Sequence, residues 1–272
     1  MMKFNPFYRA VLAFFLADDV SKIPTVKFFF YILFISILCA DNQTAEDILL
    51  QAFQRMDGID HRFKVDTKAS GKKKKEKYFQ ASIHWPSEGN LLRQTRIIST
   101  DSKRKKPSSF WEHRFRDGTK TKKWMSLPVT GKLKDVSDKK TGKKDFSFSE
   151  LGVTDEDIKS HDHTLLHREN VDTLSAHVVE SIVLSKKGEV KESKKLWIDA
   201  DSYMILKVEF YTGSGRLYRS VECSDFQYVK EILFPKSMYV QDLKSKTDIQ
   251  ITIKDIELYP EFDMDIFIPR DQ

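Results

Sequence analysis

The sequence predicts a mainly β protein (α+β) built on a large, unclosed antiparallel sheet. Apolar and polar residues alternate with a period of two over most of the chain after residue 60, which is typical of half-buried strands. The apolar stretches are short and evenly spaced, without the strand–helix–strand alternation of a parallel sheet. The chain has 272 residues, of which 40% are hydrophobic. This is enough to build one large core.

Residues 1–40 are interpreted as a signal or targeting segment. Phe28–Ala40 is apolar and uncharged, and Lys27 stands directly before it. About a dozen apolar residues behind a cation are typical of a signal peptide, whereas a membrane-spanning helix needs about 20. Cleavage after Ala40 would place Leu38 at the −3 position, where signal peptides carry a small residue. Two alternatives therefore stay open, an uncleaved anchor in the inner membrane and a lipidated Cys39.

Residues 1–26 do not fit the amino-terminal region of a signal peptide. Asp18 and Asp19 interrupt a short apolar patch there, and acidic residues are unusual in such a region. We therefore hypothesise that this part is a mis-assigned start and that translation begins near Val20 or Val26.

Residues 41–272 are expected to form a single domain, since no linker or internal repeat divides them. The domain opens with an amphipathic helix from Thr44 to Met56, which Thr44 caps and Asp57-Gly58 ends. Five apolar residues recur along it at helical spacing, namely Ile48, Leu49, Ala52, Phe53 and Met56. This pattern predicts that one side of the helix packs on the core.

About ten strands are expected after this helix. They are Phe79–Trp85, Leu91–Thr100, Phe110–Arg116, Lys122–Leu127, Ala176–Leu184, Lys194–Ala200, Tyr203–Tyr211, Arg216–Asp225, Phe234–Val240 and Lys246–Leu258. The last strand changes phase between Ile253 and Ile256, which predicts a bulge. Residues 137–162 interrupt the series with a polar loop and a short helix that starts near Thr154. Because a sheet of this size must curl or be covered, both helices are expected to lie over its apolar face.

The net charge of +6 is concentrated in short lysine runs, such as Lys72–Lys75 and Lys103–Lys106. Basic runs can bind nucleic acid or an anionic membrane. Lysines at hairpin tips also solvate turns and keep sheet edges from pairing. We favour the second interpretation and expect no nucleic-acid partner.

Three histidines form the best metal candidate, His161, His163 and His167. His161 and His163 are two residues apart and would share a face of a strand, whereas His163 and His167 are four apart and would share a face of a helix. One element cannot be both, so the three side chains are not expected to meet at one metal ion. No cysteine or glutamate cluster lies nearby to complete the site, so we expect no bound metal.

Catalytic motifs are not recognisable in the sequence. Glu112-His113 could form an acid/base pair and Asp199-Ala-Asp201 a cation loop, but neither has the spacing of a calcium loop. The chain has only 10 glycines, and none of them forms a phosphate-binding loop or a G-x-S-x-G motif. The sequence also contains no H-E-x-x-H motif. We expect a protein that is not an enzyme and needs no cofactor.

Three segments resemble the outer-membrane lipoprotein-sorting proteins with a LolA-like fold. Trp124–Pro128 with Gly131–Asp135 is similar to a W-x-x-L-P motif followed by a basic segment. Asp145–Leu151 is close to D-F-S-Y-x-D-L, and Lys195–Asp199 is followed at matching spacing by Lys207–Tyr211. In this order and spacing the segments are specific, and the resemblance extends over about residues 45–270.

This resemblance implies an unclosed β-barrel of about eleven strands, with helices over its concave apolar face. It also implies a periplasmic carrier of acylated lipoproteins or lipids, loaded by an inner-membrane transporter and unloaded at an outer-membrane acceptor. In this family, aromatic residues usually stand where His161 and His163 stand here, which further weakens the metal interpretation. The chain departs from the best-known carriers in length and in its abundance of lysine.

A carrier of this kind needs a dry apolar surface, because exposing a ~16-carbon chain to water costs roughly 12 kcal/mol at ~0.8 kcal/mol per methylene. Six residues are the predicted apolar lining: Met204, Leu206, Val208, Phe210, Trp85 and Trp124. Two alternative functions remain for the same fold. One is a membrane-linked sensor of lipid or misfolded protein, and the other is an accessory lipid carrier for an inner-membrane exporter.

Overall fold

A computed structural model describes residues 43–70, 75–101, 107–127, 130–138 and 153–271. The predicted targeting segment and the motif at 145–151 lie outside the described residues. So do most residues of the lysine runs. The chain divides into two compact units, residues 1–43 and 44–272, and the second unit is described below.

Thirteen described strands form one continuous antiparallel sheet. The strands are β1 (His61–Ser70), β2 (Lys75–His84), β3 (Leu91–Asp101), β4 (Ser108–Phe115), β5 (Lys122–Ser126), β6 (Leu133–Asp135), β7 (Asp162–Val171), β8 (Leu174–Leu184), β9 (Val190–Asp199), β10 (Ile205–Thr212), β11 (Leu217–Val229), β12 (Ile232–Asp242) and β13 (Thr247–Leu258). Their order is β6-β5-β4-β3-β2-β1-β13-β12-β11-β10-β9-β8-β7. Since β6 and β7 stand at opposite edges, the predicted unclosed antiparallel sheet is confirmed.

The described sheet has thirteen strands, where about eleven were expected. All ten strands expected from the alternation are present, and β1, β6 and β7 are added to them. Edge strand β7 is exposed along most of its length, so it needs no apolar face and shows no alternation. Strand β6 has only three residues. Strand β1 does alternate, with Phe63 and Val65 each between charged residues, and could have been found from the sequence.

The strand register assigns each side chain to a face, because directly paired residues of antiparallel strands point the same way. One apolar series runs across six strands through consecutive pairs: Ile249, Val240, Val221, Val208, Leu196 and Val179. We call the face that carries this series the inner face. Its buried members belong to one hydrophobic core.

Helix α1 (Ala45–Gln54) packs on the part of the inner face that carries this series. Its buried residues Ala45, Ile48, Leu49 and Ala52 join the same core. Just after the helix, the guanidinium of Arg55 donates to the carbonyl oxygen of Leu233 at 2.5 Å. The predicted amphipathic helix is therefore confirmed, including its packing on the apolar side of the sheet.

Both α-helices in the described part of the chain begin with the cap that the sequence predicts. At α1, Oγ1 of Thr44 accepts from the backbone N–H of Asp47, whose carboxylate accepts from the N–H of Thr44. These hydrogen bonds lower the pKa of Asp47. Helix α2 (Asp155–Ser160) repeats the arrangement with Thr154 and Asp157.

The predicted bulge in the last strand is also confirmed. Between β1 and β13, Arg62 pairs with Glu257 and Lys64 with Lys254, so β13 has one extra residue in this interval. Asp255 lies within it and has a φ of 53°. This left-handed conformation is one that aspartate tolerates better than most residues.

The carboxyl-terminal segment covers the opposite face of β3–β5. A 3₁₀ turn, Met264–Phe267, places Phe267 in a fully buried position. The indole N–H of Trp111 donates to the carbonyl oxygen of Ile266 at 3.0 Å. The first strands of the sheet are thus closed from the opposite side, and α1 closes the later strands from the inner side.

Candidate ligand-binding face

Four of the six predicted lining residues lie together on the inner face, three on β10 and Met204 directly before it. Met204, Leu206 and Val208 are 2%, 0% and 2% exposed, and all three belong to the core that α1 covers. Phe210 is half-buried at the end of the same series and lies 6.2 Å from the ring of Tyr218. This part of the face is closed in the structure.

A crevice beside Val208 and Cys223 has a volume of only about 20 Å³. Pockets for small ligands occupy roughly 300 Å³ or more, so this crevice cannot hold an acyl chain. The Cys223 thiol beside it is buried, and burial raises its pKa to about 12, although the charge of Arg55 opposes this effect. The thiol is therefore protonated at neutral pH and unreactive in the folded protein.

The two predicted tryptophans lie apart from the β10 residues. Trp85 follows β2, its backbone N–H donates to Oδ1 of Asp60 at 2.8 Å, and the guanidinium of Arg93 lies 5.7 Å from its ring centre. Trp124 pairs with Trp111 and so belongs to the opposite face of β5. Its ring makes an edge contact with His113 at 5.0 Å.

A second apolar region on the inner face remains partly open. Five residues form one line across β1–β5 through consecutive cross-strand pairs, and we call them the apolar row: Phe63, Ala81, Ile97, Phe110 and Met125. Ala81 is buried, and the other four are half-buried. The sequence showed the alternation within these strands but not their alignment into a row.

Charged residues stand near the apolar row, two or four positions away along the same strands. Arg93, Glu112, Arg114 and Lys123 form what we call the charged cluster. Glu112 Oε1 accepts from Arg93 at 2.9 Å and from Arg114 at 3.0 Å, and its Oε2 lies 3.5 Å from Nζ of Lys123. Burial disfavours ionisation of Glu112, but the three neighbouring cations outweigh it and lower the pKa of this carboxyl.

The charged cluster and the apolar row lie on the same face because of the register. Thr95, Glu112 and Lys123 are cross-strand partners, as are Ile97, Phe110 and Met125. Two residues along a strand span about 7 Å. The inner face of β4 and β5 therefore changes from apolar to charged over about 7 Å, and the two arginines of the charged cluster follow two residues further along β3 and β4.

The three candidate metal histidines have other partners. His163 lies 2.8 Å from the Ser181 hydroxyl, and His167 lies 3.0 Å from Glu169. The ring of His161 is 6.3 Å from that of His163 and 3.7 Å from Asp157. Within the described ranges, no group of three or more potential ligands could hold a metal ion. The absence of bound metal stays a prediction.

Among the helices that the structure describes, none has the length and apolar character that crossing a membrane would require. The apolar stretch Phe28–Ala40 lies outside the described residues.

An open antiparallel sheet with a helix over its apolar face is the LolA-like fold, and solved structures confirm this class. A DUF1329 family protein from Desulfovibrio piger superposes with a TM-score of 0.64 at 17% identity, over 82% of this chain and 95% of that one. A domain from Vibrio parahaemolyticus named for outer membrane lipoprotein sorting gives 0.61 at 17%, with the same coverage. A LolA superfamily protein from Nitrosomonas europaea gives 0.52 at 20%, over 83% and 98%.

A family model described as "Uncharacterized protein" matches residues 92–271. The chain belongs to this family. A comparison with curated proteins found no match. The resemblance to lipoprotein-sorting proteins that the sequence motifs indicated is thus confirmed at the level of the fold.

Proposed function

We propose that this protein is a periplasmic carrier that binds the acyl chains of lipids or lipoproteins on its inner face and serves outer-membrane lipoprotein sorting. The observation that carries the proposal is the apolar row, a line of half-buried apolar side chains on the inner face of a LolA-like fold. In this proposal the protein has no catalytic role and no nucleic-acid partner. It receives its ligand from an inner-membrane transporter and delivers it to an outer-membrane acceptor.

The dimensions of the apolar row support this role. Five strands at about 4.8 Å spacing give it a length of about 19 Å, which is similar to the extended length of a common fatty-acyl chain. Each methylene removed from water on this surface would contribute about 0.8 kcal/mol. A chain lying along the row would also bury the exposed parts of Phe63, Phe110 and Met125.

The β10 residues extend the same face beneath α1. Met204, Leu206 and Val208 are fully covered, so in this proposal they contact a ligand only if α1 moves away. Phe210 lies at the margin of that region, and Trp85 lies next to the charged cluster. Trp124 would act indirectly, since it packs behind Met125 on the opposite face of β5.

Replacing a residue of the apolar row tests the proposal. We expect Phe110→Gln to weaken binding of a fluorescent fatty acid to the delipidated full chain about tenfold, because a well-buried aromatic contact contributes about 1.5–3 kcal/mol. The control is Tyr78→Gln, which removes an aromatic ring from an exposed position on the opposite face of β2. This control should bind like the wild type.

Native mass spectrometry of the protein purified from its own cells provides an independent measurement. We expect a co-purifying lipid or acylated peptide that extraction releases. A wild-type protein that carries no lipid and binds no fatty acid would show that the carrier function is wrong.

A further inference from the structure

We propose that the ligand of the inner face carries an anionic phosphate group, which Arg93, Arg114 and Lys123 bind while its acyl chain lies on the apolar row. The inference rests on the proposed carrier function and adds the chemical class of the ligand, an acidic phospholipid. It is drawn from the position, charge and hydrogen bonding of the charged cluster.

The charge balance of the cluster leaves positive charge unmatched. Three cations surround the single carboxylate of Glu112 at 2.9, 3.0 and 3.5 Å. A second acid, Asp57, feels the charges of Arg93 and Arg114, but burial raises its pKa, and it forms no ion pair with either arginine in the described structure. Even when both acids are ionised, the cluster carries one net positive charge.

The ion pairs between β1 and β13 are balanced, unlike those of the charged cluster. On the opposite face of β1 and β13, Arg62 pairs with Glu257, Lys64 with Asp255 and Lys254 with Asp66. Each of these contacts joins one cation to one carboxylate across two strands, as expected of pairs that only stabilise a sheet. The three-to-one arrangement around Glu112 differs from this pattern and favours a role in binding an anion.

Donor groups of the cluster are available to a ligand. The buried Nε of Arg93 has no hydrogen-bond partner within the described residues. The side chains of Arg114 and Lys123 are 36% and 35% exposed, so a ligand on the inner face can reach them. Two guanidinium groups and an ammonium group match the oxygens of a phosphate, and such charge-assisted hydrogen bonds are stronger than neutral ones.

The distance between the two parts of the face matches an amphiphile. On β4, Phe110 belongs to the apolar row and Glu112 to the charged cluster. On β5, Met125 and Lys123 have the same relation. Arg93 and Arg114 stand four positions from the row, but both guanidinium groups contact the Glu112 carboxylate. A head group beside Glu112 would therefore lie about 7 Å from the row, a distance that the linkage between a phosphate and its acyl chain can bridge.

Two lipids with identical acyl chains test the inference on the delipidated full chain. Dioleoylphosphatidylglycerol is anionic, and dioleoylglycerol is its neutral counterpart. We expect the wild type to bind the anionic lipid at least about tenfold more tightly, as estimated for one charge-assisted contact. The double variant Arg114→Gln/Lys123→Gln should lose this preference and keep its affinity for the neutral lipid.

The matched control is Lys122→Gln/Arg116→Gln. It removes the same two charges from exposed positions, Lys122 on the opposite face of β5 and Arg116 in the turn after β4. This control should keep the preference for the anionic lipid. If it loses the preference equally, net charge and not the cluster selects the ligand, and the inference is overturned.

The remaining outcomes separate the inference from the proposed function. Equal binding of both lipids by the wild type overturns the inference and leaves the carrier function standing. Binding of neither lipid overturns both. Inorganic phosphate is titrated alone in a parallel arm. If it binds the cluster as tightly as the anionic lipid does, the anion is free phosphate and the lipid assignment is overturned.

Discussion

At the scale of single residues, an apolar position on one strand face can have two different environments in this protein. Leu206 and Ile97 both belong to alternating strands and both point to the inner face. Leu206 is fully buried in the core that α1 joins, whereas Ile97 is half-exposed in the apolar row. Burial of the first stabilises the fold, and the exposure of the second leaves a surface for a ligand.

A charge at Leu206 should therefore destabilise the fold. We expect Leu206→Glu to lower the free energy of unfolding by about 3–5 kcal/mol, because it removes a buried apolar side chain and places an ionisable group in its position. Urea unfolding followed by circular dichroism measures the change.

The control for this variant is Ser224→Glu, which adds the same charge at an exposed position of β11. It should change the free energy of unfolding by less than about 0.5 kcal/mol. Equal stability of the two variants would mean that residue 206 does not face the core.

At the scale of secondary structure, the two helices could be predicted because their signals are local. Thr44 and Asp47 are three residues apart, as are Thr154 and Asp157, and both pairs form reciprocal caps. Most strands were predicted from their alternation. Edge strand β7 was missed because it is exposed along most of its length, and a strand without a buried face shows no period of two.

The cap of α1 contributes to the closure of the inner face. We expect Thr44→Ala to lower the free energy of unfolding by about 1 kcal/mol, the usual effect of losing a threonine cap. Thr44→Ser keeps the hydroxyl acceptor and should retain almost all of that stability. Thermal melts of the two variants compare them directly, and similar losses in both would show that the cap contributes nothing.

At the scale of the whole molecule, the first and last strands are neighbours in the middle of the sheet. Strand β1 pairs with β13 over nine residue pairs, so that Val65 lies opposite Ile253. The sheet is therefore completed only when its two ends in sequence meet. Truncation of either strand would remove the connection between β2–β6 and β7–β12.

The amino-terminal segment leads to a prediction about the whole chain. We expect the mature protein to begin at about residue 39–41 and to be found in the periplasm, because the apolar stretch Phe28–Ala40 is shorter than the ~20 residues of a membrane-spanning helix. Amino-terminal sequencing of the protein from its own cells checks this. Recovery of intact Phe28–Ala40 in the membrane fraction would indicate an anchor instead.

The sequence by itself determined the fold class, the helices and most of the strands, since a period of two, a period of 3.6 and a capping box are all read within a few residues. Only the tertiary structure decided which side chains share a surface. The apolar row joins Phe63 to Met125 through three intervening strands, and the charged cluster joins Arg93 to Lys123 through Glu112. The physical reason is that cross-strand register aligns residues distant in sequence, and the covering helix and carboxyl-terminal segment decide which of the aligned residues remain exposed.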